Sequence, residues 1–102
     1  MMFYNVLKLN DLVENKECAF DRNVLLERGE SSLSVMALKK HEILENHYSV
    51  CDACVYVFDG EAEFHFNAEK FTLKKGELIM FEKEKEHKVL ALKDTKFLLI
   101  KI

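Results

Sequence analysis

Short runs of β-type residues, bounded by turn-forming residues, recur along the chain and constrain its fold more than any other feature. Residues 61–66 read Glu-Ala-Glu-Phe-His-Phe, and this alternation of polar and apolar residues is typical of a strand with one buried face. About eight such strands occur at the intervals expected of a β-sandwich or a barrel. They are residues 24–26, 33–38, 55–58, 62–66, 71–73, 78–81, 87–92 and 97–100. The sequence therefore predicts an all-β fold.

Glycines mark the turns, because the chain contains three glycines and no proline. Gly29 predicts a hairpin turn between the first two runs, and Asp59-Gly60 suits a two-residue type I′ connection. The charged run 82–86 predicts a solvated loop. Only the start favours a helix, since Asn10 is a suitable cap for a short helical turn through residues 12–14.

Length and composition limit the classes of protein to which the chain can belong. Its 102 residues suit one domain, residues 1–102. Apolar residues make up 49% of the chain and eight are Phe, so a core can form without disulfides or a structural metal. The formal net charge is −3 and both signs are interspersed. This balance predicts no binding to nucleic acid and none to an anionic membrane.

The first residues and the cysteines favour the cytoplasm. Residues 1–11 lack the apolar stretch of a secretory signal, and no window approaches the roughly 20 apolar residues of a membrane span. Cys18, Cys51 and Cys54 are an odd number of cysteines, and a reducing compartment would keep them as thiols. Cys51 and Cys54 form a C-x-x-C, but a β-type run follows instead of the helix that activates a redox motif. We interpret this pair as incidental.

The spacing of two histidines and two glycines resembles the two motifs of the cupin superfamily. The first motif, G-x5-H-x-H-x3-E-x6-G, places its first histidine at His47 and its closing glycine at Gly60. The second, G-x5-P-x-G-x2-H-x3-N, places its glycine at Gly76 and its histidine at His87. The stretch 41–92 thus resembles a cupin core. The resemblance implies a cupin-type double-stranded β-barrel, which is jelly-roll-like, and the N-terminal helical turn would precede it.

Six motif positions carry other residues: His41, Ser49 and Ala53 in the first motif, and Glu82, Glu84 and Ala91 in the second. In cupins that bind a metal, three histidines and the glutamate are the ligands. The resemblance therefore leaves only His47 and His87 of that set.

A divalent transition metal (Zn, Fe, Mn or Ni) would need a further ligand, because tightly held metals generally take at least three protein ligands. Cys51 is the best candidate to join His47 and His87, and His41 and Asp52 are weaker ones. Four residues of straight strand span about 13 Å, so Cys51 reaches a metal at His47 only where the chain bends between them. The cupin resemblance implies such a bend.

The favoured function is a barrel that binds a small molecule without an obligatory metal, since barrels of about this size hold one small ligand. We expect His47, Ser49 and His87 to orient that ligand. The parity of His87 with Val89 and Ala91 predicts that its side chain points inward.

Two alternatives remain open from the residues. One is a metal-dependent cupin enzyme of the oxygenase, isomerase or decarboxylase type that uses His47 and His87. The other is a sensing domain of a transcription regulator, which would need a separate DNA-binding partner. Whatever the function, the runs 78–81 and 97–100 are apolar on both faces. A second subunit is expected to cover one face, so we predict a homodimer.

Overall fold

Two antiparallel β-sheets face each other in the computed structural model, which describes residues 4–17, 19–47 and 49–102, without the side chains of residues 46 and 47. The described strands are β1 (Phe20–Arg28), β2 (Ser31–Leu38), β3 (Ile43–His47), β4 (Ala53–Asp59), β5 (Glu61–Phe66), β6 (Glu69–Lys74), β7 (Leu78–Phe81), β8 (His87–Ala91) and β9 (Thr95–Lys101). The five-stranded sheet has the order β1-β2-β9-β4-β7, and the four-stranded sheet has the order β3-β8-β5-β6. The all-β, jelly-roll-like fold predicted from the sequence is confirmed.

The main core lies between the two sheets, and the predicted alternation explains it. Ala62 and Phe64 of β5 are at most 1% exposed, and Phe64 meets Phe97 of β9 edge to face at 6.2 Å between ring centroids. On the opposite face of β5, His65 and Glu63 pair at 3.0 Å. The period of two therefore separates a buried face from a polar one, as the sequence predicts.

One predicted connection is wrong. Asp59-Gly60 does not close a hairpin, because β4 belongs to the five-stranded sheet and β5 to the four-stranded sheet. Gly60 has φ +86, and its missing side chain lets the corner pass close to the backbone of Asp94 and Thr95. The hairpin predicted at Gly29 is confirmed, since β1 and β2 pair antiparallel on either side of it.

The N-terminal helical turn is present but shifted. A 3₁₀ turn spans Leu9–Asp11. Lys8 occupies its N-cap position, and no side chain forms a capping hydrogen bond there, so the predicted Asn10-capped turn through 12–14 is wrong. The physical reason is a tertiary contact: the Asn10 carbonyl accepts a hydrogen bond from Lys96 Nζ at 2.8 Å. This contact fixes the segment against β9.

The N-terminal segment covers part of the outer face of the five-stranded sheet. Val13, 2% exposed, packs with Val35 and Ala37 of β2 in a second core, and Leu9 and Leu98 lie against this cluster. The rest of that face carries exposed apolar side chains. They are Leu26, Leu78, Met80 and, just after β9, Ile102.

Cys51 and Cys54 are free thiols, whereas Cys18 lies outside the described residues. Burial raises the pKa of the Cys54 thiol, which is the opposite of the activation that a redox C-x-x-C needs. In the described ranges, no helix is long and apolar enough to cross a membrane.

Candidate functional site

The backbone register brings the two motif histidines to the same end of the barrel. His47 is the last residue of β3 and pairs with His87, the first residue of β8. We call this end the mouth. The side chain of His47 lies outside the described residues, so its predicted role in a pocket stays a prediction.

His87 is a buried polar residue in an aromatic setting. It is 5% exposed and shares its inward face with Val89 and Ala91, so the predicted inward direction is confirmed. Its Nδ1 donates to the carbonyl oxygen of Lys85 at 2.9 Å. In a neutral imidazole this bond leaves Nε2 as a hydrogen-bond acceptor.

Phenylalanines build the wall beside His87. The ring centroid of His87 lies 4.7 Å from that of Phe81 and 5.6 Å from that of Phe66. Phe66 comes from the four-stranded sheet and Phe81 from the five-stranded sheet, so the three rings bridge the two sheets at the mouth. Such packing fixes the orientation of the imidazole.

An open groove of about 1180 Å³ begins at this aromatic wall and runs between the edge strands β6 and β7. Phe66, Phe71, Ile79 and Phe81 form its apolar side. Its rim is polar and charged: half of these residues come from the β7–β8 loop, residues 82–86, which is exposed as the sequence predicts, and the others are His65, Asn67, Glu69 and Lys88. The groove thus has one apolar side, which could bury the body of a small ligand, and a rim of polar and charged groups.

Ser49 connects two loops at the mouth. Its Oγ accepts from the Cys51 backbone N–H at 3.0 Å, and its carbonyl oxygen accepts from the Glu84 N–H at 2.7 Å. The segment after β3 is therefore tied to the β7–β8 loop. Ser49 itself is half-buried.

The Cys51 side chain contacts the β1–β2 turn. Its side chain is buried, and its Sγ donates to the carbonyl oxygen of Glu30, in the β1–β2 turn, at 3.3 Å. Asp52 accepts from the backbone N–H of Lys83 at 2.9 Å through Oδ1. Both candidate ligands are thus engaged by the loops that close the mouth.

The described donors do not fit a three-ligand metal site. Among the side chains that the structure describes, no group of three His, Cys, Asp or Glu residues could hold a metal ion. The His41 N–H donates to the carbonyl of Ala91, at the far end of β8 from His87, and four strand residues span about 13 Å. His41 is therefore remote from the mouth. The assignment of a metal to His47, His87 and Cys51 stays a prediction.

Sequence reasoning missed the aromatic wall. The inward direction of Phe66 was visible in the alternation of 61–66, but Phe81 lies in a run that is apolar on both faces. In such a run only the pairing of β7 with β4 decides which side chains point inward. No local signal identified Phe81.

Backbone conformation supports the motif alignment even where the residue has changed. All four motif glycine positions have positive φ: His41 (75°), Gly60 (86°), Gly76 (89°) and Glu84 (66°). Non-glycine residues rarely adopt this region, so His41 and Glu84 retain turns that favour glycine. In agreement, the cupin domain family model (Cupin_2) matches residues 34–102, more than half of the chain. The chain belongs to the cupin family.

Solved structures of other cupin-like proteins have the same fold. A conserved protein of unknown function (SPY1581) from Streptococcus pyogenes is 24% identical with a TM-score of 0.89, covering 100% of this chain and 90% of that one. A cupin superfamily protein from Desulfitobacterium hafniense is 20% identical with a TM-score of 0.89, covering 100% and 94%.

A longer relative is a cupin 2 conserved barrel domain protein from Leptotrichia buccalis. It is 28% identical with a TM-score of 0.85, and the match covers 94% of this cupin and 47% of that chain. This cupin thus spans about half the length of that protein. No curated protein sequence matches it.

Proposed function

We propose that this cupin is a binding module that holds one small molecule at the mouth of its barrel without an obligatory metal. The observation that carries the proposal is the buried imidazole of His87 in contact with Phe66 and Phe81, beside an open groove that has one apolar side. His87 would supply a directed polar contact, and the phenyl rings would bury the body of the ligand. His47 and Ser49 would complete the polar set.

A thermal-shift screen with sugars, organic acids and amino acids tests this function. At a concentration about 100-fold above Kd, a ligand adds about 2.7 kcal/mol to the free energy of unfolding. For a domain of this size that raises Tm by roughly 10 °C. We expect at least one compound class to produce such a shift. A flat response across the whole library would contradict the proposal.

His87→Leu is the matching variant, because leucine keeps an apolar volume between the phenyl rings and removes both ring nitrogens. We expect ligand affinity to fall about tenfold, the equivalent of about 1.4 kcal/mol for one lost hydrogen bond to a polar ligand. His41→Asn is the control, because it also removes an imidazole and suits the positive φ at this position, and His41 is exposed at the far end of β8 from His87. Equal losses in both variants would place the ligand elsewhere.

A metal-dependent cupin enzyme of the oxygenase, isomerase or decarboxylase type is the alternative, and the register that pairs His47 with His87 favours it. Metal analysis of tag-free protein separates the two functions. Because two imidazoles alone bind a transition metal weakly, we expect less than about a tenth of an equivalent after purification. A stoichiometric Zn, Fe, Mn or Ni content would favour the enzyme.

We further propose that the protein works as a homodimer in the cytoplasm. The exposed apolar residues on the outer face of the five-stranded sheet support the dimer, because a second copy would bury them. The free thiols Cys51 and Cys54 suit a reducing compartment. No interaction with nucleic acid or membrane is proposed, in keeping with the net charge of −3.

A further inference from the structure

Three polar side chains point toward the barrel interior from the five-stranded sheet. Phe97 and Leu99 of β9 pack in the core between the sheets, so alternation directs Lys101 to the same face. The register pairs Lys101 with Ser32 and Leu99 with Ser34, which places both serines on this face as well. We call Ser32, Ser34 and Lys101 the inner polar patch.

Ser32 and Lys101 of the inner polar patch lie at the same level of the barrel as His87, and Ser34 lies one row deeper, opposite Leu99. Across the five-stranded sheet, Ser32 pairs with Lys101, Lys101 with Ala53, and Ala53 with Phe81. The row ends at the phenyl ring that contacts His87. The patch therefore belongs to the mouth and faces the same interior as the imidazole.

Two members of the patch lack partners in the described part of the chain. Ser34 is fully buried at 0% exposure, and its Oγ has no hydrogen-bond partner there. Lys101 is half-buried, and its Nζ forms no hydrogen bond or ion pair with a described residue. Buried polar groups are normally paired, because an unpaired one loses its contacts with water. A hydroxyl and an ammonium on one face are suited to an anion.

We propose that the inner polar patch binds the carboxylate of a small organic acid whose apolar body contacts the aromatic wall at Phe66 and Phe81. The Lys101 ammonium would form a charge-assisted hydrogen bond, and the serine hydroxyls would donate to the carboxylate oxygens. One ammonium balances one negative charge, which favours a carboxylate over a phosphate. This inference rests on the proposed function, since it names the class of ligand in the same barrel.

The glutamates at the rim act against an anion, but more weakly. Glu82, Glu84 and Glu86 are exposed on the β7–β8 loop, so solvent and salt screen their charges. Lys101 is half-buried on β9, where an opposite charge interacts more strongly. The rim therefore affects entry, while the patch determines which charge is bound.

Benzoate, benzamide and benzylamine test the inference, because they share a shape and are anionic, neutral and cationic at pH 7. We expect calorimetric titration to give at least about tenfold tighter binding of benzoate than of the other two. K101M should weaken benzoate binding about tenfold and leave benzamide within about twofold. K70M is the control, since Lys70 is exposed on β6 and paired with the outward-facing His65.

Ser34→Ala adds a second test, which distinguishes a serine that binds the carboxylate from one that only supports the fold. Removing the unpaired buried hydroxyl should raise the Tm of the free protein and weaken benzoate binding in the same variant. Equal binding of benzoate and benzamide, or unchanged benzoate affinity in K101M, would overturn the carboxylate assignment and leave the binding module standing. Binding of none of the three would also overturn it. If no compound in the thermal-shift library raised Tm, the proposed function itself would be contradicted.

Discussion

Gly60→Ala is expected to lower the free energy of unfolding by about 3 kcal/mol or more, a larger loss than the same change at Gly76. An L-residue is strained at φ +86, which alone costs about 1–2 kcal/mol. A Cβ at this position would also overlap the carbonyl oxygen of Asp94 and lie 2.8 Å from Cα of Thr95. These are backbone atoms, so a rotamer change cannot relieve the overlap.

The corner cannot move away without further loss. Thr95 is fully buried, and its Oγ1 accepts from the Glu61 N–H at 3.2 Å and lies 2.7 Å from the carbonyl oxygen of Lys93. A shift of 94–95 would break the bond to Glu61, which joins β9 to β5 of the other sheet, and the local contact with Lys93. Buried groups left unpaired cost about 1–3 kcal/mol each.

Gly76→Ala is the matched control for urea unfolding of the two variants. Gly76 has φ +89, but an added Cβ would meet nothing within 4 Å. We expect it to cost only the strain of the left-handed conformation, about 1–2 kcal/mol. If both variants lost the same stability, the close approach at Gly60 would have no energetic importance.

The same corner marks the limit of what the sequence could predict about the fold. The alternation in 61–66 was enough to predict which face of β5 is buried, because side-chain direction is a local property of a strand. Turn chemistry at Asp59-Gly60 specified a tight connection but not the sheet that β5 joins. That choice depends on pairing with β8, which lies more than twenty residues away in the chain.

Strand β3 was missed for a related reason. Ile43–His47 reads Ile-Leu-Glu-Asn-His, which has no clear period, and among the described strands it lies at a sheet edge, next to β8. Motif spacing still identified His47, because the glycine positions around it fix the turns whatever the strand contains. Positive φ at His41 and Glu84 preserves that spacing without glycine.

The candidate site was predictable only where a motif marks it. His87 was identified by spacing and its inward direction by parity, and its burial agrees with both. Lys101 could not be found in this way. It stands near the chain end, in a run apolar on both faces, and its direction follows from pairing with β2 and β4.

The proposed dimer predicts that wild-type protein runs as a dimer in light scattering and that Met80→Glu converts it to a monomer. Met80 is 74% exposed on the outer face of the five-stranded sheet, near Leu78 and Ile102, which are 50% and 77% exposed. Three large apolar residues so exposed on one face of a small protein are typical of an interface. Because Met80 is mostly exposed in the isolated chain, glutamate should leave the fold intact.

The expected rise in the dimer Kd is at least about hundredfold, because burying an unpaired carboxylate costs several kcal/mol. A two-fold axis would introduce the charge on both copies, so each variant dimer would bear the cost twice. Ile43→Glu is the matched control: Ile43 is 47% exposed on β3, in the other sheet, and its exchange should leave the dimer unchanged. If Ile43→Glu dissociated the dimer and Met80→Glu did not, the four-stranded sheet would be the interface. A monomeric wild type would contradict the proposed dimer.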